Sequence, residues 1–290
     1  MTPSGCAMRP TRRTVLTSAL VAAPALRAWA RTGPVVIVGA GAAGLAAASA
    51  LRSAGRSFIL VEARDRIGGR AFTDRALGAA YPFDAGAEYI HWAERNPWAP
   101  IARAAKARFA GEEGWARKLV IDGRPATEAE MANRRAGFSG LDALLVPKAA
   151  DISLAEAAGI GGPMAVQAAA GLSRLSLGED PERVSAMDYD RLWSGTDLWV
   201  DGYGALVAHH FADLPVRLGC PVHAIDWSGQ DVRIETGCGT LTAAAVIVTV
   251  PVGVLKAGRV AFTPALPAST QAALDGLRMG AYTKIGLRLD

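Results

Sequence analysis

A short apolar run, Val35–Val38, leads directly into a glycine-rich turn, Gly39-Ala40-Gly41-Ala42-Ala43-Gly44. Such β-branched residues are typical of a strand that is buried in a parallel sheet. A helix of small residues follows, and a second apolar run, Phe58–Val61, ends at Glu62, 18 residues after the last glycine. This is the Gly-x-Gly-x-x-Gly pattern in the strand–turn–helix–strand setting of dinucleotide-binding domains. The sequence therefore predicts an α/β fold with a Rossmann-like domain.

The residues of this turn have separate physical tasks. Gly39 permits the tight turn, Gly41 lets the backbone approach a pyrophosphate, and Gly44 lets the helix pack closely on the strand. The helix N-terminus, which includes Ala43, offers unpaired N–H groups and a positive dipole end to phosphates. Glu62 is expected to accept hydrogen bonds from ribose hydroxyls. We assign all five residues to a dinucleotide; the alternative is a turn that serves packing alone.

The charge balance argues against a protein that binds nucleic acid or an anionic membrane through its overall field. The chain has 31 basic and 27 acidic residues, but the first 30 residues hold four arginines and no acid. The rest of the chain therefore has no net charge. Three cysteines are too few for a disulfide scaffold, and no cysteine–histidine cluster has zinc spacing. The adjacent His209 and His210 are interpreted as ordinary helix residues.

The first 30 residues resemble an export signal. Paired arginines, Arg12 and Arg13, precede an apolar stretch of about 12 residues, which is too short for the roughly 20 residues of a membrane span. The stretch ends at Ala28-Trp29-Ala30, a small-residue cleavage pattern. We therefore expect a twin-arginine signal and a periplasmic or secreted protein. The alternative is an arginine-rich N-terminus without an export role.

The segment Glu62–Arg70 reads Glu-Ala-Arg-Asp-Arg-Ile-Gly-Gly-Arg. It resembles a segment of the flavin amine oxidase family, which includes monoamine and polyamine oxidases. The resemblance implies FAD as the cofactor, with Glu62 on the adenosine ribose. It also implies that the arginines and glycines wrap the pyrophosphate, and an arginine can offer two donors to phosphate oxygens. The alternative for the arginines is a solvated charge cluster. The residues assigned in this way are Arg64, Gly68, Gly69 and Arg70, with Arg66 beside them.

The resemblance continues through most of the chain in the family's order. It implies that Asp84–His91, with Gly86, Ala87 and Glu88, passes beside the flavin, and that the backbone of Val222 holds the adenine. The further matching segments are Trp199–Leu206, Leu218–Val222, Val246–Lys256, Phe262–Pro267 and Met279–Lys284.

The expected fold class is therefore α/β, with a Rossmann-like FAD-binding domain interleaved with an incomplete α+β substrate domain. The expected division is a signal peptide at 1–30, FAD-binding parts at 31–95 and 200–262, a helical substrate-domain insertion at 96–199, and the start of a substrate-domain sheet at 263–290.

Two local patterns refine this division. The sequence Asp151–Glu156 predicts a capped helix start, and the alternation around Ser228–Gln230 predicts a hairpin. This hairpin would place Cys220 opposite Cys238, either as a disulfide or as two free thiols.

The resemblance implies an enzyme that oxidises a C–N bond of a primary or secondary amine. Hydride passes to flavin N5, and O2 restores the flavin and yields H2O2. Lys284 is the leading catalytic candidate, because the family's lysine reaches N5 through a water; the alternative is a solvated lysine on a strand. His91 would accept a hydrogen bond from a substrate amine or relay a proton, or else be satisfied by backbone in a turn. Four tryptophans, Trp92, Trp98, Trp193 and Trp199, either line an apolar pocket or belong to the core.

The sequence stops at Asp290, inside what reads as a substrate-domain strand, whereas family members continue further. We therefore expect a truncated chain, a fragment, or half of a split flavoenzyme with a complementing C-terminal chain. The alternatives to an amine oxidase are a non-catalytic remnant and a relative of the L-amino-acid oxidase or desaturase type. No metal is required, and the oligomeric state stays open.

Overall fold

The structure, a computed structural model, describes residues 32–78, 80–110, 120–144, 151–192 and 195–287. The chain divides into two units. The first combines residues up to 67 with 213–276, and the second combines 68–212 with the residues from 277 onward. The first unit is thus built from two separate stretches of chain. The domain boundaries expected near residues 95, 199 and 262 follow the family resemblance and stay a prediction.

The elements are short. The strands are β1 (Val35–Val38), β2 (Phe58–Val61), β3 (Thr73–Asp74), β4 (Phe83–Asp84), β5 (Tyr89–Ile90), β6 (Phe109–Ala110), β7 (Val120–Ile121), β8 (Arg124–Pro125), β9 (Leu198–Val200), β10 (Val216–Arg217), β11 (Val222–Asp226), β12 (Val232–Thr236), β13 (Gly239–Ala243), β14 (Ala245–Val248) and β15 (Ala261–Thr263). The α-helices are α1 (Ala42–Ser53), α2 (Trp98–Ala104), α3 (Glu128–Leu144), α4 (Leu154–Ile160), α5 (Pro163–Leu172), α6 (Ala186–Leu192), α7 (Tyr203–His210), α8 (Val252–Lys256) and α9 (Ala268–Gly276).

A parallel sheet with the strand order β10–β2–β1–β14 forms the centre of the first unit. All four residues of β1 are buried, which explains its unbroken apolar sequence. Helix α1 buries its small residues Gly44, Leu45 and Ala48. The predicted α/β fold with a Rossmann-like domain is confirmed.

A second sheet, with the order β13–β12–β11–β15, completes the first unit. Strands β11 and β12 are antiparallel and flank the predicted turn, so the hairpin prediction is confirmed. Ile225 and Ile234 face each other across the hairpin and are both buried. They join Val36 and Val61 of the parallel sheet in one apolar core.

The two cysteines beside this hairpin are free thiols. Gly237 donates its N–H to the Pro221 carbonyl at 2.8 Å, so the pairing continues beyond the strand ends toward both cysteines. The Cys220 thiol lies 3.3 Å from Thr236 Oγ1, and a hydrogen bond with Cys220 raises the pKa of the Cys238 thiol. Of the two alternatives from the sequence, the structure has the free thiols.

The second unit contains a helical core and several small sheets. Helices α3 to α6 bury Leu141, Leu154, Ala168 and Tyr189 against one another. Helix α4 begins with the predicted cap: Glu156 N–H donates to Ser153 Oγ, and the Ser153 N–H donates back to the Glu156 carboxylate. This reciprocal pair satisfies two N–H groups that the helix start would otherwise leave unpaired.

Within its described residues, the C-terminal segment does not form the substrate-domain strand that the sequence predicts at the end of the chain. Residues 277–287 contain neither helix nor strand, so the strand predicted at this end does not form in the described residues. The segment lies instead along other loops of the second unit. Ala281 donates its N–H to Gly178 O at 2.8 Å, and a Cβ on Gly280 would overlap the Leu177 carbonyl oxygen. The glycines therefore allow a backbone-to-backbone contact that fixes the segment.

Within the described residues, each helix is too short or too polar to span a membrane.

Candidate functional site

Two glycines of the first turn are required by close packing. Gly39 has φ +101°, and a Cβ there would lie 3.0 Å from Thr249 Oγ1. A Cβ on Gly44 would overlap the Gly39 carbonyl oxygen and lie 2.9 Å from the same hydroxyl. That hydroxyl is 2.9 Å from Val38 O and 3.0 Å from Gly39 O. Thr249 is thus a supporting residue that was not among the predicted site residues, although it lies in a segment that carries the family resemblance.

The N-terminus of helix α1 is open to an anion. Gly41 is the N-cap, in an extended conformation, and no side chain caps the helix. The first turn, which contains Ala43, has no acidic residue. A 12-residue helix with uncapped N–H groups offers both donors and a positive dipole end to phosphate. This geometry fits the pyrophosphate that the sequence predicts.

Glu62 lies at the carboxyl end of β2 and is only 9% exposed. Its carboxylate accepts hydrogen bonds from Ala40 N–H at 2.7 Å and from Arg64 N–H at 3.0 Å. These bonds hold the glycine turn and the next backbone segment against the acid. Each carboxylate oxygen can accept a further hydrogen bond, so the acid keeps capacity for the predicted ribose hydroxyls.

The predicted adenine segment lies next to Glu62. Cys220 donates its N–H to Glu62 O, and Gly219 donates to Arg64 O, both at 2.8 Å. Val222 follows as the first, buried residue of β11. Burial, and then the neighbouring Arg64, lower the pKa of Arg66. The first unit therefore combines a turn without side-chain bulk, an open helix N-terminus, a buried acid and crowded positive charge, and these fit the ADP part of FAD.

In the second unit, the glycines after the arginine-rich stretch allow another close backbone approach. Gly68 and Gly69 have φ +93° and +60°, which is the region that favours glycine. Arg70 O accepts a hydrogen bond from Ala87 N–H at 2.9 Å, and a Cβ on Gly86 would overlap this carbonyl oxygen. The structure thus brings together Arg70, Gly86 and Ala87, which the sequence predicted separately.

Asp84 anchors the segment that contains Gly86 and Glu88. Its carboxylate accepts hydrogen bonds from Tyr203 N–H at 2.9 Å and Gly204 N–H at 3.1 Å, which caps helix α7. Thr73 Oγ1 donates to Asp84 at 2.5 Å and accepts from Ala205 N–H at 2.7 Å. Neither Asp84 nor Thr73 was predicted as a site residue. The available signal for Asp84 was its place as the first residue of the segment Asp84–His91, which carries the family resemblance.

Lys284 is brought onto this anchored segment. Its Nζ donates to Gly86 O at 2.7 Å and to Asp84 O at 3.2 Å. It also forms an ion pair with the Glu88 carboxylate at 3.1 Å. The side chain is only 14% exposed, and Lys284 lies outside any strand, so the alternative of a solvated lysine on a strand is wrong.

His91 contacts a different acid: its Nδ1 lies 3.0 Å from the Asp197 carboxylate. The imidazole is 54% exposed and stacks on Tyr89. The His91 carbonyl oxygen accepts from the Asn96 amide at 2.9 Å. The ring is therefore both oriented and accessible, and its predicted roles stay predictions.

Trp92 and Trp98, two of the four predicted pocket tryptophans, have different neighbours. Trp98 packs edge-on against Tyr203, His210 and Phe211. Burial raises the pKa of Tyr203 to about 12 in this cluster, so its phenol stays neutral near pH 7. Trp92 lies beneath the Arg95 guanidinium, and Trp193 lies outside the described residues.

An open cavity of about 460 Å³ lies in the same unit. Both polar and apolar side chains line it, among them Glu94, Arg95, Asn96, Arg103, Thr196 and Leu198.

Comparison with known proteins identifies the family. The family model described as flavin containing amine oxidoreductase matches residues 96–290, about two thirds of the chain. The chain belongs to this family. A second model, described as an NAD(P)-binding Rossmann-like domain, matches residues 37–103, which include the glycine turn. Flavin, specifically FAD, is therefore the cofactor of the family to which this chain belongs.

Similar proteins include several polyamine oxidases. The chain is 30% identical to probable polyamine oxidase 4 of Arabidopsis thaliana, over 88% of this chain and 58% of that protein. It is 28% identical to lysine-specific histone demethylase 2 of Homo sapiens, over 88% of this chain and 34% of that protein. The chain thus spans about three fifths of the length of the polyamine oxidases that it matches.

A solved structure of wild-type putrescine oxidase bound to putrescine has the same fold. It matches with a TM-score of 0.58 and 22% identity, over 84% of this chain and 63% of that one.

We predict that Gly44→Ala destabilises the first unit by about 2 kcal/mol or more, because the new Cβ overlaps backbone that cannot move aside. Chemical denaturation followed by circular dichroism measures this change. The matched control is Gly171→Ala in helix α5, where a Cβ meets no atom within 4 Å. The control should gain about 0.5–1 kcal/mol from helix propensity. Equal stability of the two variants would contradict the packing argument.

Proposed function

We propose that this chain binds FAD and oxidises a C–N bond of a primary or secondary amine of the polyamine class. The substrate loses a hydride from carbon and a proton from nitrogen, and water hydrolyses the resulting imine to a carbonyl and an amine. Bound FAD would supply the two-electron acceptor, and O2 would take up the electrons as H2O2. The observation that carries this proposal is the Lys284 ammonium, held by Asp84, Gly86 and Glu88.

In the first unit, the proposed task is cofactor binding. The N–H groups at the start of helix α1 would hold the pyrophosphate, and the Glu62 carboxylate would accept from the ribose. Arg64 and Arg66 would add positive charge near the phosphates. Val222, which follows the segment bonded to Glu62, would present its backbone to the adenine. The hydrogen bonds that already fix Glu62 support this assignment, since they orient the acid before a ligand arrives.

In the second unit, the proposed task is to orient water and substrate. The family resemblance, and no contact in the structure, assigns Gly68, Gly69 and Arg70 to the cofactor's pyrophosphate and assigns Gly86 and Ala87 to backbone contacts with the flavin. The Lys284 ammonium would hold a water and favour negative charge that arrives on the ring. Its low exposure and carbonyl anchors support this role, because a fixed charge costs no reorganisation during the reaction.

His91 is the proposed proton acceptor for the substrate amine. Asp197 contacts Nδ1 and thereby favours the tautomer in which this nitrogen carries the proton. A neutral imidazole in this state can accept a proton, which an amine must release before hydride leaves its carbon. The similarity to polyamine and putrescine oxidases supports amines over amino acids as substrates.

Anaerobic addition of a polyamine tests the function directly. We expect purified protein to carry a flavin absorbance spectrum that putrescine or spermidine bleaches, with peroxide released when air is admitted. An amino acid or a C–C substrate that bleaches the spectrum instead would support the L-amino-acid oxidase or desaturase alternative. Protein that stays colourless after FAD is added would support a non-catalytic remnant. Colour that appears only with an added C-terminal chain would support half of a split enzyme.

For Lys284→Met, we expect the rate constant of flavin reduction to fall by about 10²–10³-fold, the range for loss of a preorganised electrostatic group. FAD should stay bound, because the cofactor contacts proposed for the first unit are unchanged. Stopped-flow absorbance under anaerobic conditions measures the reduction rate. Lys106→Met, at an exposed lysine of the same unit, is the control and should react at the wild-type rate. A wild-type rate for Lys284→Met would remove Lys284 from the mechanism.

We also propose export through a twin-arginine signal, supported by the sequence pattern of residues 1–30, which lie outside the described residues. N-terminal sequencing of protein from the periplasm or medium should find a mature chain that begins near Arg31. Replacement of Arg12 and Arg13 by lysine should retain the full-length precursor in the cytoplasm. Export at the wild-type level by the double-lysine variant would contradict the proposal.

A further inference from the structure

We propose that Glu88 is the positioning residue for Lys284: it fixes one N–H of the ammonium and neutralises its charge. It thereby sets the charge that the protein presents to the flavin. The inference rests on the proposed function, and it assigns to the Glu88 side chain a role that acts through Lys284.

The first step is the count of donors on the ammonium. A lysine ammonium has three N–H donors and no acceptor. Lys284 Nζ has three oxygen partners at hydrogen-bond distance: Gly86 O at 2.7 Å, Asp84 O at 3.2 Å and Glu88 Oε2 at 3.1 Å. Every donor is therefore matched by a protein acceptor. The ammonium can donate to a water only if one of these acceptors moves away, or if one N–H is shared between an acceptor and the water.

The second step is to ask which of the three acceptors can move away from Lys284 Nζ. The carbonyls of Asp84 and Gly86 belong to backbone that is held on both sides. Asp84 caps helix α7 through its carboxylate, and Ala87 donates its N–H to Arg70 O. The Glu88 carboxylate is the only one of the three acceptors that lies on a rotatable side chain. Rotation of this side chain away from Nζ would therefore free one N–H donor for a water.

The third step concerns charge. The Lys284 side chain is 14% exposed and that of Glu88 is 21% exposed, so solvent screens their attraction less than at a free surface. Among the described residues, Glu88 supplies the carboxylate that pairs with Lys284. With both groups charged, the pair contributes no net charge. If the acid is replaced by an amide, one uncompensated positive charge remains, and a positive charge favours negative charge that develops nearby.

A purely structural role is the competing explanation. The pair also ties residues 277–287 to the rest of the unit, as does a second pair between Glu179 and Arg278 at 3.7 Å. Glu88 itself is held by its backbone, because Val200 donates its N–H to Glu88 O at 3.0 Å. Glu179→Gln is therefore a matched control: it removes an equivalent acid that ties the same segment, but it leaves Lys284 and its partners intact.

The experiment measures the reduction potential of FAD bound to the full-length chain. We expect Glu88→Gln to shift the potential to a more positive value and Lys284→Met to shift it to a more negative one. The double variant should lie close to the wild type, because its pair again contributes no net charge. Glu179→Gln should keep the wild-type potential. A Glu88→Gln potential equal to that of the wild type overturns the inference.

Kinetics with putrescine give a second readout. For Glu88→Asp, which keeps the charge but shortens the reach to Nζ, we expect the wild-type potential and a kcat lowered about tenfold, with KM changed less than twofold. If Glu88→Gln does not retain FAD, Glu88→Asp decides, and a wild-type kcat for it overturns the inference. Wild-type protein that retains no FAD overturns the proposed function together with this inference. If the wild type binds and reduces FAD but the deciding variant keeps the wild-type value, only the inference is overturned.

Discussion

The first unit depends on a steric constraint at Gly44. Helix α1 approaches the end of β1 so closely that a Cβ at this position would overlap the Gly39 carbonyl oxygen and reach Thr249 Oγ1 at 2.9 Å. Thr249, just beyond β14, is in turn hydrogen-bonded to the end of β1. Two strands and a helix therefore meet where no side chain fits. The N-cap of the same helix, Gly41, has no side chain to cap it, so the N–H groups proposed to bind the pyrophosphate start next to this packing contact.

In the second unit, glycines likewise allow close contacts between backbone segments, and these contacts position the residues around Lys284. A Cβ on Gly86 would overlap Arg70 O, and one on Gly280 would overlap Leu177 O. Contacts between backbones involve no side-chain rotamers, so they define position more narrowly than contacts between long side chains. They bring the Lys284 segment and the Asp84–Glu88 segment to fixed places. The long lysine side chain is then ordered by carbonyl groups whose own positions are already determined.

Local patterns in the sequence predicted much of the fold. The glycine turn, the cap at Ser153 and the hairpin around Gly229 each depend on residues close together in the chain, and the structure confirms them. The partners of Lys284 are about 200 residues away, so only the family resemblance pointed to that neighbourhood. The C-terminal strand, which the family resemblance implied, does not form in the described residues 277–287. Backbone contacts with residues distant in the chain, such as that of Ala281 with Gly178, hold this segment, and no local pattern in the sequence indicates them.

Two acids of the candidate site, the buried Glu62 and the partly buried Glu88, have protein partners before any ligand binds, as expected from the cost of removing an unpaired charge from water. They differ in what remains available. Glu62 is held by two neutral backbone N–H groups, so its carboxylate keeps free acceptor positions that can meet ribose hydroxyls. Glu88 faces an ammonium, so its charge is cancelled where it lies. An acid that is hydrogen-bonded only to backbone N–H groups can still accept hydrogen bonds from a ligand. An acid that is paired with a lysine acts chiefly by positioning the ammonium and by compensating its charge.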